Sequence, residues 1–245
     1  MRVVVVGCGG RMGREVCRLI ETQPDMVLAG GVEESGHRLV GSALGLGTVT
    51  DELADCVAQA DCVVDFSTAQ VAAANCATTA RAKKPYVTGV TGLSDEARSV
   101  LARCAALIPL VYASNFSLGA SVLARLVTEA TRLLGPGFDV GIVDTHHRAK
   151  KDAPSGTALR LLEAVEQAGP QKEKGRGQIV SLRVGDVVGD HTVVFGGPGE
   201  RLELTHRATS RLAFASGVLA AVRFVVERRP GFYTMEDVLS RAAPV

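Results

Sequence analysis

Short apolar runs separated by helical patterns fill the first half of the chain. Runs at Val3–Val6, Val27–Val32, Cys62–Phe66, Tyr86–Thr88 and Leu110–Ala113 predict buried strands of a parallel sheet. Between the first two, Met12, Val16, Leu19 and Ile20 recur at helical spacing, and Ser94 before Asp95 and Glu96 reads as an N-cap with acids in the first turn. The rhythm changes after a helix expected over Leu118–Leu134, closed by Gly135 and Pro136. "FDVGIVDTHH" reads as extended, "SGTALRLLEAVEQAG" as a helix ended by Gly169 and Pro170, and "QKEKGRGQ" as a solvated loop. "IVSLRV", "HTVVFG" and "RLELTHRA" then alternate apolar and polar positions, the last two joined through "GPGE", which predicts an antiparallel or mixed sheet. A long apolar helix from Leu212 to Val226 and a short Thr234-capped helix are expected to pack back on the first domain. The pattern predicts an α/β chain with a Rossmann-like parallel-sheet domain over residues 1–117 and 212–245. Residues 118–211 are expected to form an α+β domain with an open mixed sheet.

Composition narrows what the chain binds. Its 245 residues suffice for one large or two modest cores, and 27 Lys and Arg against 26 Asp and Glu leave a net charge of +1. That balance gives no electrostatic case for nucleic acid or a membrane surface, so any anion site must be local. The six cysteines, Cys8, Cys17, Cys56, Cys62, Cys76 and Cys104, form no C-x-x-C pair. They predict buried thiols rather than a metal site or disulfides, which suits a reducing cytoplasm. The opening "MRVVVVG" is too short an apolar run for a signal segment or a membrane span.

Directly after the first run comes "GCGGRMG", in which Gly7, Gly10 and Gly13 are spaced G-x-x-G-x-x-G with Gly9 as an extra. Glycines permit a tight turn and close backbone approach to a pyrophosphate, and the helix beginning at Arg11 and Met12 offers N–H groups and a partial positive charge. Glu33 follows about twenty residues on, where an acid binds the adenine ribose hydroxyls. Dinucleotide binding is the reading this context favours, and a plain tight turn is the other. "TGVTG", with Gly89 and Thr91, and "ASNF", with Ala113, Asn115 and Phe116, also follow strands and are expected to line the nicotinamide half of the site. Glu33 and Glu34 together would repel a 2′-phosphate, so NADH is expected to serve at least as well as NADPH, while Arg11 could pair with that phosphate and soften the preference.

The second chemical landmark is "DTHHRAKKDAPSGTAL", where His146, His147, Arg148, Lys150 and Lys151 crowd ahead of a turn. Such a cluster needs water or an anionic guest. Pro154 leads into Ser155 as the N-cap of the next helix, with Gly156 and Thr157 in its first turn, and this is a cradle for an anion. Each piece alone is ordinary: a lone Lys is usually a solvated charge and Ser-Gly-Thr usually just a cap. Together, and beside a nicotinamide domain, they point to a small guest bearing more than one carboxylate. His37 is expected at the surface, and His191 and His206 in structural roles on their strands.

"HHRAKKDAPSGTA" closely resembles the signature of the 4-hydroxy-tetrahydrodipicolinate reductase (dihydrodipicolinate reductase, DapB) family. "VGCGGRMG", "DFS" at Asp65 to Ser67, "TGVTG", "ASNFS", "VGDVVGDHTVVF", "GERLELTHRATSR" and "FASG" are similar to its other landmarks, in order, over nearly the whole chain. The resemblance implies a homotetramer assembled through the central sheet domain, and NADH- or NADPH-dependent reduction of a cyclic dicarboxylate to tetrahydrodipicolinate in lysine biosynthesis. It implies His146 as general acid, Lys150 as the substrate-holding and catalytic lysine, His147 as a substrate contact, and Ser155, Gly156 and Thr157 as the carboxylate cradle. Val90, where the family often has threonine, and Glu34, where some members carry arginine, depart from the pattern. A two-domain amino-acid-semialdehyde dehydrogenase and a nicotinamide-sensing regulator are the alternatives; a sensor has no use for the "DAPSGT" cradle.

Overall fold

Runs of β-branched residues with no polar side to offer water become the central strands of a covered sheet. In the computed structural model, which describes residues 1–169 and 177–242, the chain divides into two units: Met1–Phe116 with Phe214–Val245, and Ser117–Ala213. In the first unit β1 (Arg2–Val6) leads through the glycine loop to α1 (Arg11–Glu21) and β2 (Val27–Val32). A small addition follows, β3 (Ala43–Leu44) and β4 (Gly47–Thr50), and then β5 (Cys62–Asp65), α2 (Ala72–Arg81), β6 (Tyr86–Thr88), α3 (Asp95–Ala105) and β7 (Pro109–Tyr112). The sheet order is β12-β7-β6-β5-β1-β2-β4-β3, with β12 (Gly231–Tyr233) supplied by the end of the chain. All pairings are parallel except β3 against β4. Because β1 lies between β2 and β5, the strand order reverses there, and the carboxyl ends of such strands open onto the crevice where ligands of this fold bind.

The second unit starts with α4 (Leu118–Leu134), whose N-cap Ser117 accepts from the Ala120 N–H, and continues through β8 (Asp139–His146) and α5 (Gly156–Ala168). β9 (Gly177–Arg183), β10 (Gly189–Gly197) and β11 (Glu200–Ala208) complete a four-stranded sheet of order β11-β10-β8-β9, parallel only between β8 and β9. The β10–β11 hairpin pairs Gly197 with Glu200, and Gly199 takes a φ of +78°, a left-handed conformation suited to glycine. One face of the sheet alternates into the core: Val140, Ile142, Val193 and Phe195 pack with Leu123 and Val127 of α4 and Leu161 and Val165 of α5. The opposite face leaves Val180, Leu182 and Val184 about half exposed.

The closing segment, α6 (Leu212–Val225), β12 and α7 (Met235–Ala242), belongs to the first unit from Phe214 onward. A Cβ on Gly217 of α6 would sit 1.7 Å from the Phe116 carbonyl oxygen, so only glycine permits this approach. Arg223 bridges to Asp25 at 2.8 Å, and at the start of α7 the Asp237 carboxylate reaches back to accept from the Thr234 N–H and hydroxyl. β3, β4 and β12 are absent from the pattern-based expectation because two to four residues carry no readable period. Most of the stretch expected as a solvated loop, residues 171–176, lies outside the described residues with Pro170, while Gly177 and Gln178 open β9. All six cysteines are buried and free, and burial pushes the Cys8 thiol up to about 11. Among the described residues no helix is long and apolar enough to cross a membrane.

Candidate active site

The glycine loop is built by close approach. Gly7 turns at φ +74°, and a Cβ there would meet the Phe66 carbonyl at 2.7 Å; one on Gly13 would lie 2.0 Å from the Gly7 oxygen. Gly10 is the extended N-cap of α1 and no side chain caps that helix, so its positive end is left to a guest. Arg11 is exposed, Met12 partly buried, and the Glu33 carboxylate accepts from the Gly9 N–H at 2.5 Å, which fixes this acid beside the loop. His37 is half-buried, and a Cβ on Gly9 would be 2.7 Å from its ring. Beyond β6 and β7, a Cβ on Gly89 would strike the Phe66 ring, and Phe116 meets the same ring edge-on at 5.9 Å. Ala113 donates to the Thr88 carbonyl, while Thr91 is exposed and Asn115 half-buried. These loops share one end of the sheet, and the crowded glycines with the uncapped helix fit a dinucleotide.

In the second unit the pleat sorts the histidines. Asp144 and His146 lie on the inner face of β8 and are buried, whereas His147 falls beyond the strand and is half-buried. Across the sheet Asp144 pairs in register with His191 of β10 and Ser181 of β9, His191 pairs with His206 of β11, and His146 pairs with Arg183. Strand pairing therefore collects His206, His191, Asp144 and Ser181 in one transverse row, with His146 and Arg183 beside it. Asp144 is the hub. Its Oδ2 accepts from the Ser155 N–H at 3.0 Å, the Ser181 hydroxyl at 3.1 Å and the Arg183 guanidinium at 3.1 Å. Its Oδ1 faces His146 Nδ1 at 2.8 Å and His191 Nε2 at 3.5 Å. Burial alone would raise this carboxyl, but the hydrogen bonds from Ser155 and Arg183, with the His146 charge, hold it at about 2.

Burial likewise pushes the His146 imidazole below its ordinary range; Asp144 opposes the shift, while Lys150 and Arg183 add to it. His191 is pushed down to about 4, by burial first and by His146 next, so it is neutral near pH 7. Ser155 is the N-cap of α5, as its sequence context predicts: its hydroxyl accepts from the Ala158 N–H at 3.2 Å and lies 3.2 Å from His191 Nε2. Gly156 opens the helix toward empty space, with Thr157 in the first turn. Lys150 is mostly covered and its ammonium pairs with the exposed Asp152 at 2.8 Å. Asp144, His146 and His191 gather one carboxylate oxygen and two ring nitrogens within 4.8 Å, but the Arg183 guanidinium already neutralises that carboxylate. Sequence reasoning passed over Asp144, Ser181 and Arg183 and assigned His191 to structure. The available signal was alternation: Ser181 and Arg183, like Asp144 and His146, are two residues apart on strands.

A doubly wound sheet with a glycine loop at its reversal point, joined to a unit that holds imidazoles and a lysine beside a helix N-terminus, defines a nicotinamide-dependent oxidoreductase. Residues 1–116 match the family described as dihydrodipicolinate reductase, N-terminus, and residues 119–239 match its C-terminus. The chain belongs to the dihydrodipicolinate reductase family. The 4-hydroxy-tetrahydrodipicolinate reductase of Myxococcus xanthus (strain DK1622) is 42% identical over 98% of this chain and 97% of its own. That of Rubrobacter xylanophilus is also 42% identical, over 98% of both chains. A solved dipicolinate-bound dihydrodipicolinate reductase from Paenisporosarcina sp. TG-14 shares the fold with a TM-score of 0.83 at 22% identity, covering 97% of this chain and 98% of that one.

Proposed function

We propose that the chain reduces 4-hydroxy-tetrahydrodipicolinate, a cyclic dicarboxylate, to tetrahydrodipicolinate with NADH or NADPH, in the diaminopimelate route to lysine. The observation that carries this reading is the buried His146–Asp144 pair beside the α5 N-terminus, in a chain matched end to end by reductases of that name. A semialdehyde dehydrogenase or a nicotinamide sensor is not favoured by those relatives. The first unit serves as the dinucleotide-binding domain and the second holds the substrate. Gly7, Gly9, Gly10, Arg11, Met12 and Gly13 hold the pyrophosphate, Glu33 the adenine ribose, and Gly89, Thr91, Ala113, Asn115 and Phe116 the nicotinamide end. The reduced nicotinamide, when bound, supplies the hydride.

In this reading Lys150 exchanges Asp152 for a substrate carboxylate, which Ser155, Gly156 and Thr157 also hold at the positive end of α5. His147 contacts the substrate from the strand end. The 4-hydroxyl of the substrate leaves as water to give the unsaturated ring, and His146 delivers a proton to that ring once it has taken the hydride, so that one hydride and one proton enter and one water leaves. Its lowered pKa leaves it largely neutral in the free protein, and a dianionic guest favours the imidazolium, so the proton is taken up as substrate binds.

The test follows loss of reduced-cofactor absorbance on substrate generated freshly from pyruvate and aspartate semialdehyde. Turnover is expected with both cofactors, and kcat/KM for NADH should equal or exceed that for NADPH because Glu33 and Glu34 oppose a 2′-phosphate. No turnover with either cofactor overturns the function; a strong NADPH preference overturns only the cofactor reading. We also propose self-association, toward a homotetramer, through the outer face of the second sheet, where Val180, Leu182 and Val184 leave apolar surface uncovered. Light scattering at micromolar concentration should find an oligomer, and a monomer alone would contradict the proposal.

A further inference from the structure

Resting on the assignment of His146 as proton donor, we infer that Asp144 is the positioning residue that fixes which nitrogen of the His146 ring exchanges its proton. The carboxylate is built to be immobile. Oδ2 accepts hydrogen bonds from Ser155, Ser181 and Arg183, which lie on other segments of the chain and hold the carboxylate against rotation. Oδ1 faces the His146 and His191 imidazoles, with His146 Nδ1 at 2.8 Å and His191 Nε2 at 3.5 Å. The approach is close but off the line of a directed hydrogen bond, so charge rather than alignment governs it. A nitrogen lone pair that near a carboxylate oxygen is repelled, so Nδ1 keeps its hydrogen in both the neutral and the charged ring. Nε2 is then the nitrogen that gains and gives the proton. A Cβ on Gly189 would stand 3.0 Å from Nε2, so glycine at this position keeps a side chain off that nitrogen.

The groups facing His146 make the carboxylate necessary. Arg183 on β9 and Lys150 on the loop after β8 are cations, and His191 on β10, whose ring meets His146 edge-on at 5.2 Å, is uncharged. Asp144 is the anion among them, and without it this neighbourhood disfavours an imidazolium. His191 is held elsewhere, its Nε2 lying near both the Ser155 hydroxyl and Oδ1, and so it does not replace His146.

Selective ¹⁵N labelling of the histidine rings tests this in the wild-type full-length chain, with a variant as a second arm. Neutral His146 should be the Nδ1–H tautomer, and its ring pKa should fall in Asp144→Asn. In that variant kcat should drop about ten- to a hundredfold with its alkaline limb moved to lower pH, while KM for NADH stays unchanged. An Nε2–H tautomer in the wild type overturns the inference even if Asp144→Asn does not fold. So does a variant that loses kcat with its ring pKa and pH limb unmoved, because that is merely structural damage. Failure of the proton-donor reading appears separately, as retained kcat in His146→Gln with the tautomer as expected.

Discussion

Replacing His146 with glutamine should lower kcat by roughly 10² to 10⁴, the span usual for a lost general acid, and raise KM for the dicarboxylate far less, through the lost imidazolium charge alone. Glutamine retains a polar end of similar reach but has no titratable proton. The ring is covered and pairs with Asp144 at 2.8 Å, while His191 is held near pKa 4 and Asp144 near 2. Neither neighbour can stand in: one is neutral and the other an anion at working pH. Steady-state kinetics across pH 5 to 9 are the measurement, and near-normal kcat through neutrality would mean that the proton has another source.

Lys150→Ala should act on both constants, raising KM and lowering kcat, with kcat/KM down roughly ten- to a hundredfold or more. Charge-assisted hydrogen bonds are worth about 1.5–3 kcal/mol, and a contact to a substrate carboxylate exists in the ground state as well as the transition state. In the free protein the ammonium is tied to exposed Asp152, so binding replaces one carboxylate by another and part of the gain is offset. The alanine variant also removes a cation that presses the His146 imidazole down, and its alkaline limb should therefore move to higher pH. A Lys150→Ala enzyme with unchanged KM would place the lysine away from the substrate.

Much of this molecule is written locally. The strands at Val27–Val32 and Tyr86–Thr88 and the helix over Leu118–Leu134 have the bounds their patterns predict, because an apolar run or a helical period has its physical cause within the element itself. The caps at Ser94, Ser117 and Ser155 each close on an N–H three residues on. Expected edges shift by a residue at β5, β7 and α6, where pairing and helix fraying, not composition, set the end.

The sequence by itself determined the glycine loop, the helix that follows it and the Ser155 cap, since each depends on bond geometry and neighbours a few positions away. Tertiary structure alone decided what stands around His146. Ser181 and Arg183 reach Asp144 from 37 and 39 positions along the chain, and His191 arrives from a third strand. Which strands pair, and in what register, follows from burying Val140, Ile142, Val193 and Phe195 on one face. A slip of one residue in any of these strands would turn that strand's polar groups outward, so the same burial that closes the core aims the carboxylate at the imidazole.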